Sequence, residues 1–158
     1  MAGLLLVAAC AATPPADVEI GLRNPTVTLA GTTRFDAARF AGEWRSVACL
    51  GHCDARVRYA VGPGGVLLRE AGETRSAYRV SAPGVLREID GDGVLVVMWV
   101  DEGFRTAALG DADGRWAAIL DRGGGAADRT RAATEVLDFN GWDVTRLRRV
   151  EGWQERRQ

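Results

Sequence analysis

The chain of 158 residues has room for one domain with a sizeable core and is too short for two ordinary domains. Its 20 Lys and Arg residues nearly balance 21 Asp and Glu residues. Because this balance leaves no net field to hold a polyanion, it argues against nucleic acid as a partner.

The first ten residues have the pattern of an export signal. Residues 1–9 form an apolar run that ends in small residues before Cys10. The run is too short to span a bilayer but is typical of the apolar part of a secretory signal. Its end resembles a bacterial lipobox, which implies cleavage before Cys10 and lipidation of that cysteine. An Ala-rich and Leu-rich terminus with an ordinary buried Cys10 is the alternative.

The lipobox resemblance also implies a location. Ala11 follows Cys10, and an Asp at that position would mark retention at the inner membrane. We therefore expect a lipoprotein of the bacterial outer membrane that faces the periplasm.

Four regions follow from this interpretation. Residues 1–9 are a signal peptide, and residues 10–33 are the lipidated cysteine, a proline-containing tether and an arm laid across the domain. The domain itself spans residues 34–150, and residues 151–158 are a C-terminal tail.

From Phe35 onward, short apolar runs alternate with turn residues, which is typical of an all-β meander. Turn signals such as Gly62-Pro63-Gly64-Gly65 separate the runs. The predicted strands are residues 42–50, 56–61, 66–71, 76–81, 85–89, 94–100, 104–110 and 115–121. Eight strands with short links predict an antiparallel up-and-down barrel that can hold one small ligand.

The pattern changes after the eighth strand. Helix formers fill residues 126–140, and the helix pattern stops at Asn140-Gly141. Its apolar face predicts one α-helix packed outside the barrel. Residues 142–150 return to apolar and polar alternation, which predicts a short ninth strand at the outer edge.

Three segments carry a family resemblance. Residues 35–48 combine a helical turn with Gly42-Glu43-Trp44, residues 99–107 place an acidic turn before an aromatic residue, and residues 119–122 end in Arg122. Their order and spacing resemble the three motifs of the lipocalins. The end of the helix, residues 137–143, resembles that of bacterial outer-membrane lipoproteins of the apolipoprotein D-like branch.

The resemblance implies a plug at one end of the barrel. The guanidinium of Arg122 would stack on Trp44, an interaction worth about 0.5–2 kcal/mol. Gly42, Trp44 and Arg122 are therefore interpreted as fold markers and not as ligand contacts. One departure is the link at residues 51–55, which is shorter than the loop that usually covers a lipocalin mouth.

Cys49 and Cys53 flank the only histidine of the chain, His52. If Cys10 carries lipid, these two cysteines are left to pair, and an exported protein meets oxidising conditions. A disulfide is the favoured interpretation. A metal site of three ligands is disfavoured because structural zinc takes four, so neither a metal nor a cofactor is expected. A thiol nucleophile is a third interpretation, because one lipocalin branch isomerises its ligand with a lumen cysteine.

Strand alternation proposes the residues that line the lumen. The predicted set is Ser46, Ala48, Val57, Tyr59, Val61, Met98, Phe104, Trp116 and Ala118. On the sixth strand both alternating sets are apolar, so alternation alone leaves its facing open. The strands also carry Arg56, Arg58, Arg69, Arg79, Arg87 and Arg105. Most should face water, and one that pointed inward would match a carboxylate or phosphate group.

These features predict non-catalytic binding, storage or transport of a small hydrophobic ligand, a fatty acid or a lysophospholipid. The expected partners are that ligand and a membrane reached through the lipid anchor, and the interpretation leaves room for a homodimer. The alternatives are a filled barrel that serves as an envelope scaffold without ligand and, less favoured, a thiol-dependent lipid isomerase. An interior cavity well below about 300 Å³ would argue against a lipid ligand.

Overall fold

The computed structural model describes residues 21–150. The predicted signal peptide, the lipidation site at Cys10, the first half of the tether and the C-terminal tail lie outside the described residues. The described residues therefore hold the end of the arm and the predicted domain.

Eight antiparallel strands close into a barrel, which confirms the predicted fold class. The strands are β1 (Gly42–Leu50), β2 (Arg56–Val61), β3 (Leu67–Ala71), β4 (Thr74–Ala82), β5 (Val85–Glu88), β6 (Val94–Val100), β7 (Thr106–Asp111) and β8 (Ala117–Asp121). Each pairs with the next, and β1 pairs with both β2 and β8. The closed sheet has no long unpaired edge.

Two helices complete the domain. The short α1 (Ala37–Phe40) precedes β1, and α2 (Ala127–Phe139) packs outside the barrel against β6, β7 and β8. Ala133 and Leu137 are its buried residues, one turn apart on one face. No helix in the described part of the chain is long and apolar enough to cross a membrane.

The ninth strand is shorter than the one predicted over residues 142–150. The observed β9 (Arg148–Arg149) pairs with β1. Before it, Val144–Arg146 form a 3₁₀ turn, and the Asp143 carboxylate accepts a hydrogen bond of 3.2 Å from the Thr145 backbone N–H. This capped turn replaces the extended backbone that alternation predicted.

Buried apolar side chains form two groups, one on each side of the sheet. We call the group inside the barrel the inner core and the group between barrel and helix the outer core. The inner core comprises Phe40, Trp44, Cys49, Val57, Tyr59, Leu67, Ala71, Tyr78, Leu86, Leu95, Val97, Val100, Phe104, Ala107, Leu109, Ala118 and Leu120. The outer core comprises Val47, Ala48, Leu50, Val96, Met98, Ala108, Ala117, Ile119, Ala133, Leu137 and Trp142.

A β-bulge in β1 reverses the facing of its second half. Ser46 and Ala48 oppose successive residues of β8, so Val47 is an extra residue in the ladder. Val47 and Ala48 both lie in the outer core, and Cys49 returns to the inner core. The prediction that Ala48 lines the lumen is wrong, because a bulge shifts the alternation by one position.

A second bulge lies in β6, between Val97 and Trp99. Before this bulge, Leu95 and Val97 lie in the inner core, which settles the facing that alternation left open. Met98 lies in the outer core on the same face as Val96, so its predicted place in the lumen is wrong.

Arg122 closes one end of the barrel. Its Cζ lies 4.1 Å from the centroid of the Trp44 ring. Its guanidinium donates hydrogen bonds of 2.7 Å to the carbonyls of Phe104 and Ala41, and a further one to the carbonyl of Arg39. One cation therefore ties the turn before β7 and the segment before β1 to the end of β8.

The plug continues inward through stacked aromatic rings. The Trp44 indole N–H donates a hydrogen bond of 2.8 Å to the Phe40 carbonyl. The Phe40 ring centroid lies 5.0 Å from that of Trp44 and 4.9 Å from that of Tyr59. Gly42 has φ +119°, and a Cβ there would approach Arg122 Nη1 to 2.9 Å. The plug thus requires glycine at this position.

The acidic turn before β7 is organised by one carboxylate. Asp101 accepts hydrogen bonds from the backbone N–H groups of Gly103, Arg105 and Thr106, and from Arg105 Nε at 3.0 Å. Burial alone would raise the pKa of Asp101, but these hydrogen bonds outweigh it and lower the pKa. Phe104 has φ +52° in this turn, which is why β7 begins two residues later than predicted.

Replacing Arg122 by methionine should test the plug. Arg122→Met removes the charged donors and the stacked cation while keeping an apolar stem of similar reach. We expect the free energy of unfolding to fall by about 1–3 kcal/mol in a urea titration. Arg79→Met, an exposed position on β4, is the control and should change it by less than about 0.5 kcal/mol. Equal losses in the two variants would contradict the plug.

Replacing Asp101 by asparagine should destabilise the fold in a pH-dependent way. An amide accepts fewer hydrogen bonds than a carboxylate, so Asp101→Asn should cost about 1–3 kcal/mol at pH 7. Because the pKa of Asp101 is lowered from 3.8, its contribution is present above that value and is lost as pH falls through the folded-state pKa.

The difference in stability between wild type and Asp101→Asn should therefore shrink below about pH 4. Denaturant unfolding from pH 7 to pH 3 measures it, with the exposed neighbour Glu102→Gln as the control. A difference that stays constant over this range would show that the charge of Asp101 is unimportant.

Candidate functional site

An interior cavity of about 190 Å³ lies at the end of the barrel opposite the plug. Its rim is formed by the turns between β1 and β2, between β3 and β4, and between β7 and β8. Buried side chains from five strands, β1, β2, β4, β7 and β8, make most of its wall. The lining residues are Ser46, His52, Asp54, Val57, Tyr59, Arg69, Thr74, Tyr78, Leu109, Trp116, Ala118 and Leu120.

Five of the predicted lumen residues line this cavity: Ser46, Val57, Tyr59, Trp116 and Ala118. Two others lie elsewhere. Val61 is 47% exposed, because β2 ends there and the chain turns at Gly62, so its predicted place in the lumen is wrong. Phe104 is buried in the inner core but lies at the plugged end, where the Arg39 Cζ is 4.2 Å from its ring centroid.

Arg69 on β3 is the one strand arginine that enters the cavity wall. Its side chain is 13% exposed, and Nη2 lies 2.8 Å from Asp54 Oδ2. Its Cζ lies 5.6 Å from the Trp116 ring centroid. The sequence left the direction of the Arg69 side chain open. Arg69 lies two residues from both Leu67 and Ala71 on β3, and residues two apart on a strand point to the same face. Because Leu67 and Ala71 lie in the inner core, this spacing was the signal that could have placed Arg69 inside the barrel.

Two polar atoms in the cavity wall lack a hydrogen-bond partner among the described residues. They are the Tyr59 hydroxyl and Arg69 Nε, both buried. The two residues are directly opposed across β2 and β3. The two groups lie close enough for a weak side-chain hydrogen bond from Arg69 to counter part of the rise in the pKa of Tyr59, but the contact falls outside the distance and angle limits of a well-formed hydrogen bond. A buried polar atom without a hydrogen bond lowers the free energy of unfolding unless a ligand or a water molecule bonds to it.

The charge states of these two groups follow from their surroundings. Burial raises the pKa of Tyr59 to about 12, so its phenol is a neutral donor at pH 7. Burial disfavours the charge of Arg69, but neighbouring Tyr59 and Asp54 outweigh it and raise the pKa of Arg69. The cavity wall therefore presents a permanent cation at Arg69 beside the neutral phenol of Tyr59.

A short loop at residues 51–55 covers part of the mouth and is tied to the barrel by a disulfide. Cys49 on β1 is bonded to Cys53, with Cα atoms 6.0 Å apart, which confirms the favoured interpretation of this pair. The bulge in β1 turns Cys49 inward, so the bond lies against the inner core. With both sulfurs bonded to each other, neither is a free thiolate for a metal or for nucleophilic attack.

Further contacts hold the backbone of this loop. Ser46 Oγ donates a hydrogen bond of 2.6 Å to the Asp54 carbonyl, and Arg148 Nη2 donates one of 2.6 Å to the Gly51 carbonyl. Gly51 has φ +69°, and a Cβ there would come within 2.3 Å of the Arg115 carbonyl oxygen. The loop backbone is therefore fixed independently of the Asp54 side chain.

Two larger concavities are separate from this cavity. One of about 520 Å³ has the exposed, charged Glu43, Arg45, Arg56 and Arg58 in its lining. Another of about 780 Å³ lies between the N-terminal arm and the end of α2. Within residues 21–150, no group of three or more His, Cys, Asp or Glu side chains is placed to hold a metal ion.

Comparison with known proteins identifies the fold. No protein-family model and no curated protein matches the chain in sequence. Per a 4, a major allergen of cockroaches, is similar in structure, with a TM-score of 0.56 and 12% identity over 80% of this chain and 95% of the allergen. Apocrustacyanin C1 gives a TM-score of 0.50 and 15% identity over 71% of this chain and 77% of its own. Both are lipocalin-fold proteins, and this chain shares that fold.

Proposed function

We propose that the protein binds a small molecule with an apolar body in the lumen of its barrel, without catalysing its conversion. The observation that supports this most strongly is the cavity of about 190 Å³, which has apolar walls at Val57, Leu109 and Leu120 in a barrel plugged at its other end. A plugged barrel with one mouth can hold an apolar molecule away from water.

The size of the cavity narrows the ligand class. Pockets for drug-sized molecules usually measure about 300–1,000 Å³, so a whole lysophospholipid is too large for a cavity of about 190 Å³. A cavity below about 300 Å³ also argues against a long-chain fatty acid. Of the two predicted ligand classes, we therefore propose only fatty acids of short and medium chain.

A filled barrel without ligand, acting as an envelope scaffold, is the second candidate. It is supported by the inner core below the cavity, where Leu67, Leu86 and Leu95 are at most 2% exposed. Native mass spectrometry of protein purified from cells should show a co-purified small molecule for a carrier and none for a scaffold.

We also propose that a lipid on Cys10 anchors the barrel at the periplasmic face of the bacterial outer membrane. The support is the apolar run of residues 1–9 and the small residues before Cys10. Such an anchor would keep a carrier of fatty acids close to the membrane from which they come.

Filling the cavity should abolish ligand binding. Ala118→Phe adds a phenyl ring to the cavity wall, so calorimetric titration with 1-octanol should show affinity at least about tenfold below wild type. Ala60→Phe, on the outer face of β2, is the matched control and should bind as wild type does. The melting temperature establishes that each variant is folded. Wild type that binds neither octanol nor octanoate would favour the scaffold.

Removing the lipidated cysteine should release the protein from membranes. In bacterial cells, Cys10→Ser should move the protein from the membrane fraction to the soluble fraction and abolish incorporation of a labelled fatty acid. Ala12→Ser places the same residue two positions later and should change neither result. If Cys10→Ser stayed in the membrane fraction, the anchor would be refuted.

A further inference from the structure

We propose that Arg69 and Tyr59 form an anion subsite in the cavity wall that binds the carboxylate of the ligand, and that Asp54 occupies this subsite when no ligand is present. The inference rests on the proposed binding of a ligand in the lumen and names the polar group of that ligand. The inference is drawn from two donors on opposed residues, the Tyr59 hydroxyl and Arg69 Nε, which make no well-formed hydrogen bond, and from the carboxylate of Asp54 in the loop at residues 51–55.

The donors of the subsite converge because of strand pairing. Tyr59 and Arg69 are directly opposed on β2 and β3 with both side chains inside the barrel, an arrangement that brings Cβ atoms to about 5 Å. The Tyr59 hydroxyl and Arg69 Nε are both unpartnered among residues 21–150. One carboxylate between them would accept from both, which no described side chain does.

Asp54 is placed to act as a stand-in for that carboxylate. It contacts Arg69 through a single pair of atoms, Nη2 and Oδ2, at 2.8 Å, so Arg69 Nε is left without an acceptor. A ligand carboxylate of the same charge can replace it with no change in the net charge of the cavity. The two oxygens of a ligand carboxylate can also accept two parallel hydrogen bonds from one guanidinium.

The loop allows Asp54 to leave without unfolding. The Asp54 side chain is 26% exposed and already lies 3.3 Å from His52, whose side chain is 81% exposed. Its backbone carbonyl is held by Ser46, and the disulfide holds the neighbouring Cys53. Rotation of one side chain toward solvent therefore frees the guanidinium while the loop stays in place.

The single positive charge favours a carboxylate over a phosphate monoester. Arg69 is the only Lys or Arg in the cavity lining, and a phosphate monoester carries between one and two negative charges at pH 7. A dianion would be only half neutralised, and it would lie close to the displaced Asp54. The subsite therefore fits a monoanionic, short-chain or medium-chain acid.

Calorimetric titration with octanoate and 1-octanol tests the subsite, because the two ligands share a chain and differ in the polar group. Wild type should bind octanoate more tightly than octanol. Asp54→Asn removes the competing carboxylate and should raise octanoate affinity by at least about tenfold, with octanol affinity unchanged within about twofold. Glu73→Gln removes an exposed negative charge at the same mouth and should leave both affinities near wild type.

Loss of the donors should have the opposite effect. Arg69→Met should abolish the preference for octanoate, and Tyr59→Phe should reduce it several-fold, since it removes only the neutral donor. Arg79→Met, at an exposed position, is the matched control. If Arg69→Met does not fold, Asp54→Asn and Tyr59→Phe still decide the matter.

Three results would overturn the subsite alone, and a fourth would overturn the proposed function as well. If octanol binds but octanoate binds no better and Asp54→Asn changes neither, the lumen binds ligand without an anion subsite. If Asp54→Asn strengthens both ligands equally, Asp54 only obstructs the mouth. Tighter binding of octyl phosphate than of octanoate would contradict the carboxylate assignment. If neither octanol nor octanoate binds wild type, the proposed function itself fails, and the subsite with it.

Discussion

The stack of Arg122 on Trp44 determines what this barrel can hold. If the barrel of eight strands were open at both ends, water would enter at the end that Arg122 closes, and the apolar cavity would be hydrated. Arg122 prevents this with one side chain, because its guanidinium covers the indole and bonds carbonyls from two other segments of the chain. The glycine at position 42 is the backbone condition for that approach.

The plug also fixes the polar end of the cavity. The ring of Phe40 packs on Trp44 on one side and on Tyr59 on the other. The Tyr59 ring is thereby held in the aromatic cluster, and its hydroxyl is left in the cavity wall opposite Arg69. Because that hydroxyl cannot turn away without disturbing the plug, its lack of a partner is a property of the packed structure and not of a free side chain.

The sequence was sufficient to predict the fold, but only part of the site. Turn residues mark the ends of strands well, and the predicted bounds of β1, β2 and β6 agree with the observed ones. The side of the sheet on which each side chain lies was less predictable, because inward and outward residues alternate only until a bulge adds a residue to one strand. The bulge in β1 moved Ala48 out of the lumen. Met98 was assigned to the wrong face because both alternating sets of β6 are apolar, and it lies in the outer core with Val96. No bulge interrupts β3, so Arg69 shares the inward face of Leu67, two residues before it.

The choice between a carrier and a filled scaffold turns on Arg69. A scaffold needs only a packed interior, and a buried ion pair is a weak source of stability because desolvation offsets most of the attraction. Apolar residues at positions 59 and 69 would pack the barrel without burying an unpartnered hydroxyl and an unpartnered guanidinium Nε. The observed arrangement is costly for a scaffold and useful for a protein that must recognise an anion. The unpartnered polar atoms in the cavity wall therefore support the same conclusion as the cavity itself, that the barrel binds a ligand.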